Sequence, residues 1–173
     1  MVRHHKNMFI RVKKIKNQNY AYLVNSKYTE KGVRQKIVKY LGKVIELKKN
    51  EKKEIKKYSH LTPKQLIHEL VLLELKNHGF KKNKDIFKLK KFIYNPKEHS
   101  FSSRNKNIVL KLNNEFMCQH TISHLLNFEY NGDEEQIGLA LAKAVVSSGL
   151  TIPKEAFIYL FEKVYKDEKA KLY

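Results

Sequence analysis

Apolar and basic residues follow each other from Met8 to Lys16 (MFIRVKKIK), close to the period of two that marks a strand with two unlike faces. Asn17, Gln18 and Asn19 supply turn chemistry. Residues 20–27 (YAYLVNSK) form a second run rich in strand formers. A turn from Tyr28 to Gly32 leads to a third strand over 33–41 (VRQKIVKYL), and Gly42 is expected to end it. The pattern predicts a three-stranded antiparallel meander. Residues 46–58 (ELKKNEKKEIKKY) read as a charged connector, helical or mobile.

The period then changes. Thr62 suits a helix cap, Pro63 the first helical position, and Gln65 completes a capping box. Leu66, Ile67, Leu70, Val71, Leu73 and Leu75 follow at helical spacing, and His78-Gly79 supplies a stop. Residues 86–94 (IFKLKKFIY) and 107–112 (NIVLKL) each read as one strand, with a polar loop between them. A helix is expected over about 116–126. Asp133 with Gln136 forms a second capping box, and Gly149 a second stop. The helix between them carries Ile137, Leu139, Leu141, Ala144, Val145 and Val146 on nearly every side, which predicts a central, buried helix. Pro153 opens a last helix with Phe157, Leu160, Phe161 and Val164 on one stripe. The whole is an α+β chain. Residues 1–45 form a basic antiparallel β module and 46–58 the connector. Residues 59–173 form a mixed α/β unit ending in a helical bundle.

Charge adds a direction to this plan. The 173 residues hold 36 Lys and Arg against 17 acids, a formal +19. Residues 1–58 carry 18 basic and 4 acidic side chains, whereas 107–173 carry 7 and 9. A lysine-rich surface serves solubility when it is spread evenly. Here it is segregated, which favours a polyanion that offsets the self-repulsion. Only Arg3, Arg11, Arg34 and Arg104 are arginines, so point charges outnumber the planar forks that read guanine. Phosphate and shape recognition is expected over base readout, with DNA and RNA alike as partners.

The β module offers the candidate surface. Arg11 and Lys13 share a strand face by period, as do Tyr20 and Tyr22, and as do Arg34, Lys36 and Tyr40. Lys14 and Lys39 add further charge. If the faces coincide, cations pair phosphates while tyrosines stack on bases. Cross-strand tyrosine packing explains the same residues without a ligand, and Val24 and Val38, placed on that face by period, favour packing.

The segment from Phe9 to Gly42 has a basic first strand, a tyrosine-bearing second strand ending at Ser26, and a basic third strand closing on Tyr40-Leu41-Gly42. It resembles the β module that begins many insertion-sequence transposases of the DDE class. The resemblance covers about a quarter of the chain and includes no catalytic motif. The whole chain also resembles a small uncharacterised archaeal family that shares this opening and a C-terminal stretch like FMCQHTISHLLNFEYNGDEEQIGLALAKAVVSSGLTIPKEAFIYLFEKVY. That family resemblance implies no activity.

Other chemistry finds little support. Transposition needs three acidic metal ligands, yet Asp85, Asp133 and Asp167 are the only aspartates and Asp133 serves as a cap. Cys118, His120 and His124 make the one metal-like cluster, but one helical face cannot easily present all three, so no metal and no cofactor are expected. A buried thiol is the favoured state of Cys118. His4 and His5 read as a mobile polar terminus. No phosphate loop, dinucleotide fingerprint or nucleophile elbow occurs. The two last helices have the rhythm of a helix–turn–helix, but they offer Lys154, Glu155, Glu162 and Lys163 where basic and amide residues are needed. They read as a packing hairpin or a protein-partner surface. No apolar run spans a membrane, and a lone cysteine suits a reducing cytoplasm. The expectation is a non-enzymatic, cytoplasmic nucleic-acid-binding protein. Its rival is an assembly factor that docks a protein through the C-terminal helices.

Overall fold

The computed structural model describes residues 8–170; His4 and His5 lie outside them. Among the described residues nine strands and four helices follow in chain order. They are β1 (Met8–Ile15), β2 (Gln18–Thr29), β3 (Gly32–Glu46), α1 (Pro63–Asn77), β4 (Lys81–Asn83), β5 (Ile86–Leu89), β6 (Phe92–Asn95), β7 (Ser100–Ser103), β8 (Lys106–Leu112), β9 (Glu115–Met117), α2 (Gln119–Leu126), α3 (Glu134–Ser147) and α4 (Lys154–Ala170). The α+β class is as the pattern predicts. The separate three-stranded module is not. All nine strands join one mixed sheet in the order β1-β2-β3-β8-β7-β6-β5-β4, with β9 pairing β8 off that path.

The junction is a parallel ladder in which Lys43, Val44, Ile45 and Glu46 pair Ile108, Val109, Leu110 and Lys111. Gly42 therefore does not end β3; the strand runs on to Glu46. Gly42 adopts φ +142°, and a Cβ there would sit 2.5 Å from the Asn107 carbonyl oxygen and 2.9 Å from the Ile108 Cα. A glycine after a strand pattern commonly marks its end. Here it permits a close approach of two backbones.

Local turns explain the other differences. The run 86–94 is two strands, because Lys90 takes φ +53° and reverses the chain so that Phe87 faces Tyr94. Period alone misses this turn, since lysines occupy it instead of glycine or asparagine. Two further hairpins turn on Arg104-Asn105 and Asn113-Asn114, all four at positive φ, the geometry that matches strand twist. Phe87, Tyr94 and Phe101 thereby form a cross-strand row, with Tyr94 and Phe101 stacked at 4.7 Å. All three are buried against Leu66, Leu70 and Leu75 of α1 in the main core. The expected helix 116–126 begins at Gln119, after the short strand β9.

Both predicted capping boxes form, at Thr62 with Gln65 and at Asp133 with Gln136. α3 is not buried all round. Ile137, Leu141, Ala144 and Val145 face the core, while Leu139 and Val146 are 66% and 57% exposed. The connector beyond Glu46 forms neither helix nor strand. The Asn50 and Glu51 amides donate to the Asn77 carbonyl at 2.8 and 3.0 Å. The Asn77 side chain also accepts from the Lys53 amide and donates to the Lys53 carbonyl.

The pin at the end of α1 continues into a buried hub. Glu74 lies inside the apolar run of α1 and is 2% exposed. Its carboxylate accepts from Asn113 Nδ2 (2.9 Å) and Thr151 Oγ1 (2.6 Å), and pairs Lys49 Nζ at 3.0 Å. Asn113 also donates to the Gly149 carbonyl. One acid thus ties the connector, the β8–β9 turn and the α3–α4 link to α1. Burial alone would raise its pKa, but the bonds from Thr151, Asn113 and Lys49 and the lysine's charge outweigh it and hold the carboxyl below 4.5.

Two stability tests follow from these contacts. A carboxyl depressed on folding stabilises above its unfolded pKa, and that stability is lost as pH falls through the folded value. Denaturant unfolding below pH 4.5 should therefore show an acid-dependent loss that Glu74→Gln largely removes. At neutral pH, Glu74→Ala should cost about 1–3 kcal/mol for each donor left unpaired. Gly42→Ala combines a strained φ, worth about 1–3 kcal/mol, with a backbone clash. A melting temperature within a degree of the parent would contradict the close-approach reading of β3 and β8.

Candidate nucleic-acid interface

The first three strands carry the charge without covering it. Nine of the ten cations from Arg11 to Lys43 are exposed, Lys43 being half-buried, and every residue from Lys27 to Tyr40 is exposed. The cause is extent. Among the described residues β1 pairs β2 from Ile15↔Gln18 to Met8↔Asn25, and β8 meets β3 from Lys43 onward. Between those limits Ser26–Thr29 and Gly32–Gln35 form a two-stranded arm.

Register decides which side chains meet, since directly opposed residues in an antiparallel pair share a face. Arg11 opposes Tyr22, Lys13 opposes Tyr20, and Tyr22 opposes Tyr40. Five of the nine expected site residues therefore assemble on one face: Arg11, Lys13, Tyr20, Tyr22 and Tyr40. Lys13 Nζ stands 5.5 Å over the Tyr22 ring, and the Tyr40 ring is 5.4 Å from Tyr22 and 6.4 Å from Tyr20. Arg11 donates to Gln35 Oε1 at 2.6 Å, and Tyr20 donates to Gln18 Oε1 at 3.0 Å. Partial burial, with Tyr20 and Tyr22 close by, pushes the Tyr40 phenol up from its ordinary pKa, so it stays neutral.

Arg34 and Lys36 do not share this face with Tyr40, as simple alternation predicts. The β2–β3 register shifts at Ala21/Tyr22 and again at Leu23/Val24, leaving Leu41 and Val38 unopposed. Each extra residue disturbs the alternation of β3. Arg34 then opposes Lys27, Lys36 opposes Asn25, and Lys39 opposes Leu23, all on the other face; Lys14, opposite Asn19, lies there too. The cations thus flank the sheet on both sides, and the tyrosines occupy one. Val24 is buried, but Val38 is exposed at the irregularity.

Behind Lys39 lies the Cys/His segment. Cys118 is buried at the cap of α2, its sulfur 3.8 Å from Thr121 Oγ1. Burial raises its thiol pKa and keeps it protonated. Burial first, then the charges of His124 and Lys39, lowers that of His120. Among the described residues no group of three or more His, Cys, Asp or Glu is placed to hold a metal ion.

A feature that sequence reading missed is an open cleft of about 520 Å³ between α1, α2 and the β6–β7 turn, lined by Leu61, Gln65, His68, His99 and Leu126 among others. His68 and His99 meet edge to face at 6.1 Å, and the Tyr94 hydroxyl lies 3.2 Å from His99 Nδ1. Burial, then His68, lowers the pKa of His99. Its lining comes from three distant segments, and no local spacing announces it.

Set against protein-family models, curated proteins and solved structures, the chain finds no match among any of the three. Among the described residues no helix is long and apolar enough to cross a membrane.

Tyrosine geometry yields a test of packing. Tyr22 is half-buried between Tyr40 and Lys13, whereas Tyr28 is 83% exposed. An aromatic pair contributes about 0.5–1.5 kcal/mol beyond its buried area, so Tyr22→Ala should lower the thermal midpoint by several degrees. Tyr28→Ala should stay within about 0.5 kcal/mol of the parent. Equal effects from the two would show that the Tyr22–Tyr40 contact adds nothing to the sheet.

Proposed function

We propose that this chain is a non-catalytic nucleic-acid-binding protein whose first three strands grip the phosphate backbone. One observation carries the reading. Ten cations lie between Met8 and Lys43 against a single acid, Glu30, and none of the ten forms a salt bridge with a described residue. Among the described residues the ion pairs that do form involve Lys49, Lys53 and Lys111. Charge left unpaired on both faces of a thin sheet repels itself, and a polyphosphate relieves it by shedding its counterions.

Lysines on a bare strand edge also deter edge-to-edge aggregation. That role asks for a few inward-pointing charges at an edge. It does not call for cations on both faces, nor for Arg11 and Lys13 beside three tyrosines. The tyrosine face suits a second contact, with Tyr40 the most open of the three rings and able to take a base.

A second reading has its own observation. Leu139 and Val146 lie seven residues apart on α3, on one exposed stripe, and Ile158 of α4 is exposed as well. Such residues suit a protein partner, in keeping with the near-neutral charge of this half.

The deciding experiment is a binding titration over salt. Log affinity should fall linearly with log salt, by about 0.7–0.9 per phosphate contacted, and Lys13→Glu or Lys36→Glu should each reduce that slope by about 1. Both variants should weaken all sequences alike and leave the fold intact, while Leu139→Lys with Val146→Lys should leave affinity unchanged. Affinity that ignores salt, or that falls only in the α3 variant, would replace the phosphate reading with the protein-partner one.

A further inference from the structure

We infer that the β2–β3 arm enters the major groove of duplex DNA tip first; this rests on the nucleic-acid reading and gives it a ligand class and a pose. The arm consists of four opposed pairs, Ser26↔Gln35, Lys27↔Arg34, Tyr28↔Val33 and Thr29↔Gly32, closed by Glu30 and Lys31. At about 3.3 Å per residue it reaches roughly 13 Å, beyond the roughly 8.5 Å depth of the B-form major groove. A strand pair with its side chains is about 10 Å thick. It fits a groove of about 12 Å and is too thick for a minor groove of about 6 Å.

Its composition makes little sense for an arm left in water. Lys27 and Arg34 stand directly opposite each other, a like-charge pair that weakens the ribbon it belongs to. On the other face Tyr28 and Val33 oppose each other at 83% and 54% exposure. An isolated two-stranded ribbon is marginal even without such handicaps. A groove answers both. Its two phosphate walls would take the cations, Lys27, Arg34 and Lys36 on one side and Arg11, held at the arm's base through Gln35, on the other. Its floor offers thymine methyls to the apolar pair near the tip, and cytosine amino groups to Glu30.

The same geometry selects among nucleic acids. A-form RNA has a deep, narrow major groove that side chains do not enter, and a single strand has no walls. The full chain should therefore bind a mixed-sequence DNA duplex about tenfold or more tighter than the same sequence as an RNA duplex.

Fluorescence anisotropy at fixed salt tests this with four probes: the DNA duplex, the RNA duplex, a single-stranded DNA, and the DNA duplex with bulky groups on cytosine C5 that fill the major groove. We expect the unmodified DNA duplex to bind most tightly and the filled one to lose that advantage. Shortening the arm, by replacing residues 27–34 with Asn-Gly so that Ser26 turns into Gln35, should leave salt-dependent binding but abolish the preference. Lys27→Glu with Arg34→Glu should reduce the salt slope and remove the preference in a chain that keeps its strand lengths. Equal affinity for the two duplexes, or indifference to the filled groove, overturns the arm proposal while the phosphate reading stands. Absence of binding to all four overturns both.

Discussion

Parallel pairing of Lys43–Glu46 with Ile108–Lys111 is the contact on which the architecture depends. It joins a meander of mostly exposed residues to the part of the chain that holds the main core. β8 is the centre of this arrangement, with β3 parallel to it, β7 antiparallel at its start and β9 antiparallel at its end. Beside it Ala21, Leu23 and Leu41 pack with Val109 and Cys118 in a small second core. Gly42 makes the approach possible by offering no Cβ where the Asn107 carbonyl passes.

Anchoring at one end leaves the other end free. Helices and aromatic rows bury the strands from β5 onward, whereas β2 and β3 run past their neighbours into an arm that no other described element covers. Charge follows the same division. The acidic side chains that form strong local contacts, above all Glu74, sit where segments converge and stabilise the helical layer. Among the described residues the cations of β1–β3 have no such partners, which is the observation behind the proposed polyanion. On the proposed reading, the anchored base would leave the charged arm to meet a polyanion without rearrangement of the core.

Sequence legibility followed locality. The capping boxes at Thr62 and Asp133 and the stops near Gly79 and Gly149 depend on residues three or four apart, and each element start was readable from them. The first two strands were readable for the same reason. Turns at Lys90 and Arg104 were not, because residues that usually avoid positive φ adopt it there under the pull of the aromatic row Phe87, Tyr94 and Phe101. Pairing of β3 with β8 spans more than sixty positions, and nothing near Gly42 distinguishes a close approach from an end. The candidate site divides likewise. Its cations and tyrosines were visible as residue types, and period paired Arg11 with Lys13 and Tyr20 with Tyr22, but only the β1–β2 register brings the two pairs to one face. The extra residue Val38 in β3 was invisible, and it moves Arg34 and Lys36 to the opposite face from Tyr40.

Amide hydrogen exchange on the full chain, alone and saturated with a short DNA duplex, tests the central claim of an anchored base and a ligand-seeking arm. Amides of residues 43–46 should exchange slowly in both states, since the ladder to β8 buries them, and amides of residues 26–36 should exchange fast until DNA slows them. Exchange over 43–46 as fast as in the arm would mean that the meander is not anchored. Protection by DNA confined to α3 and α4 would contradict the assignment of the interface to the first three strands.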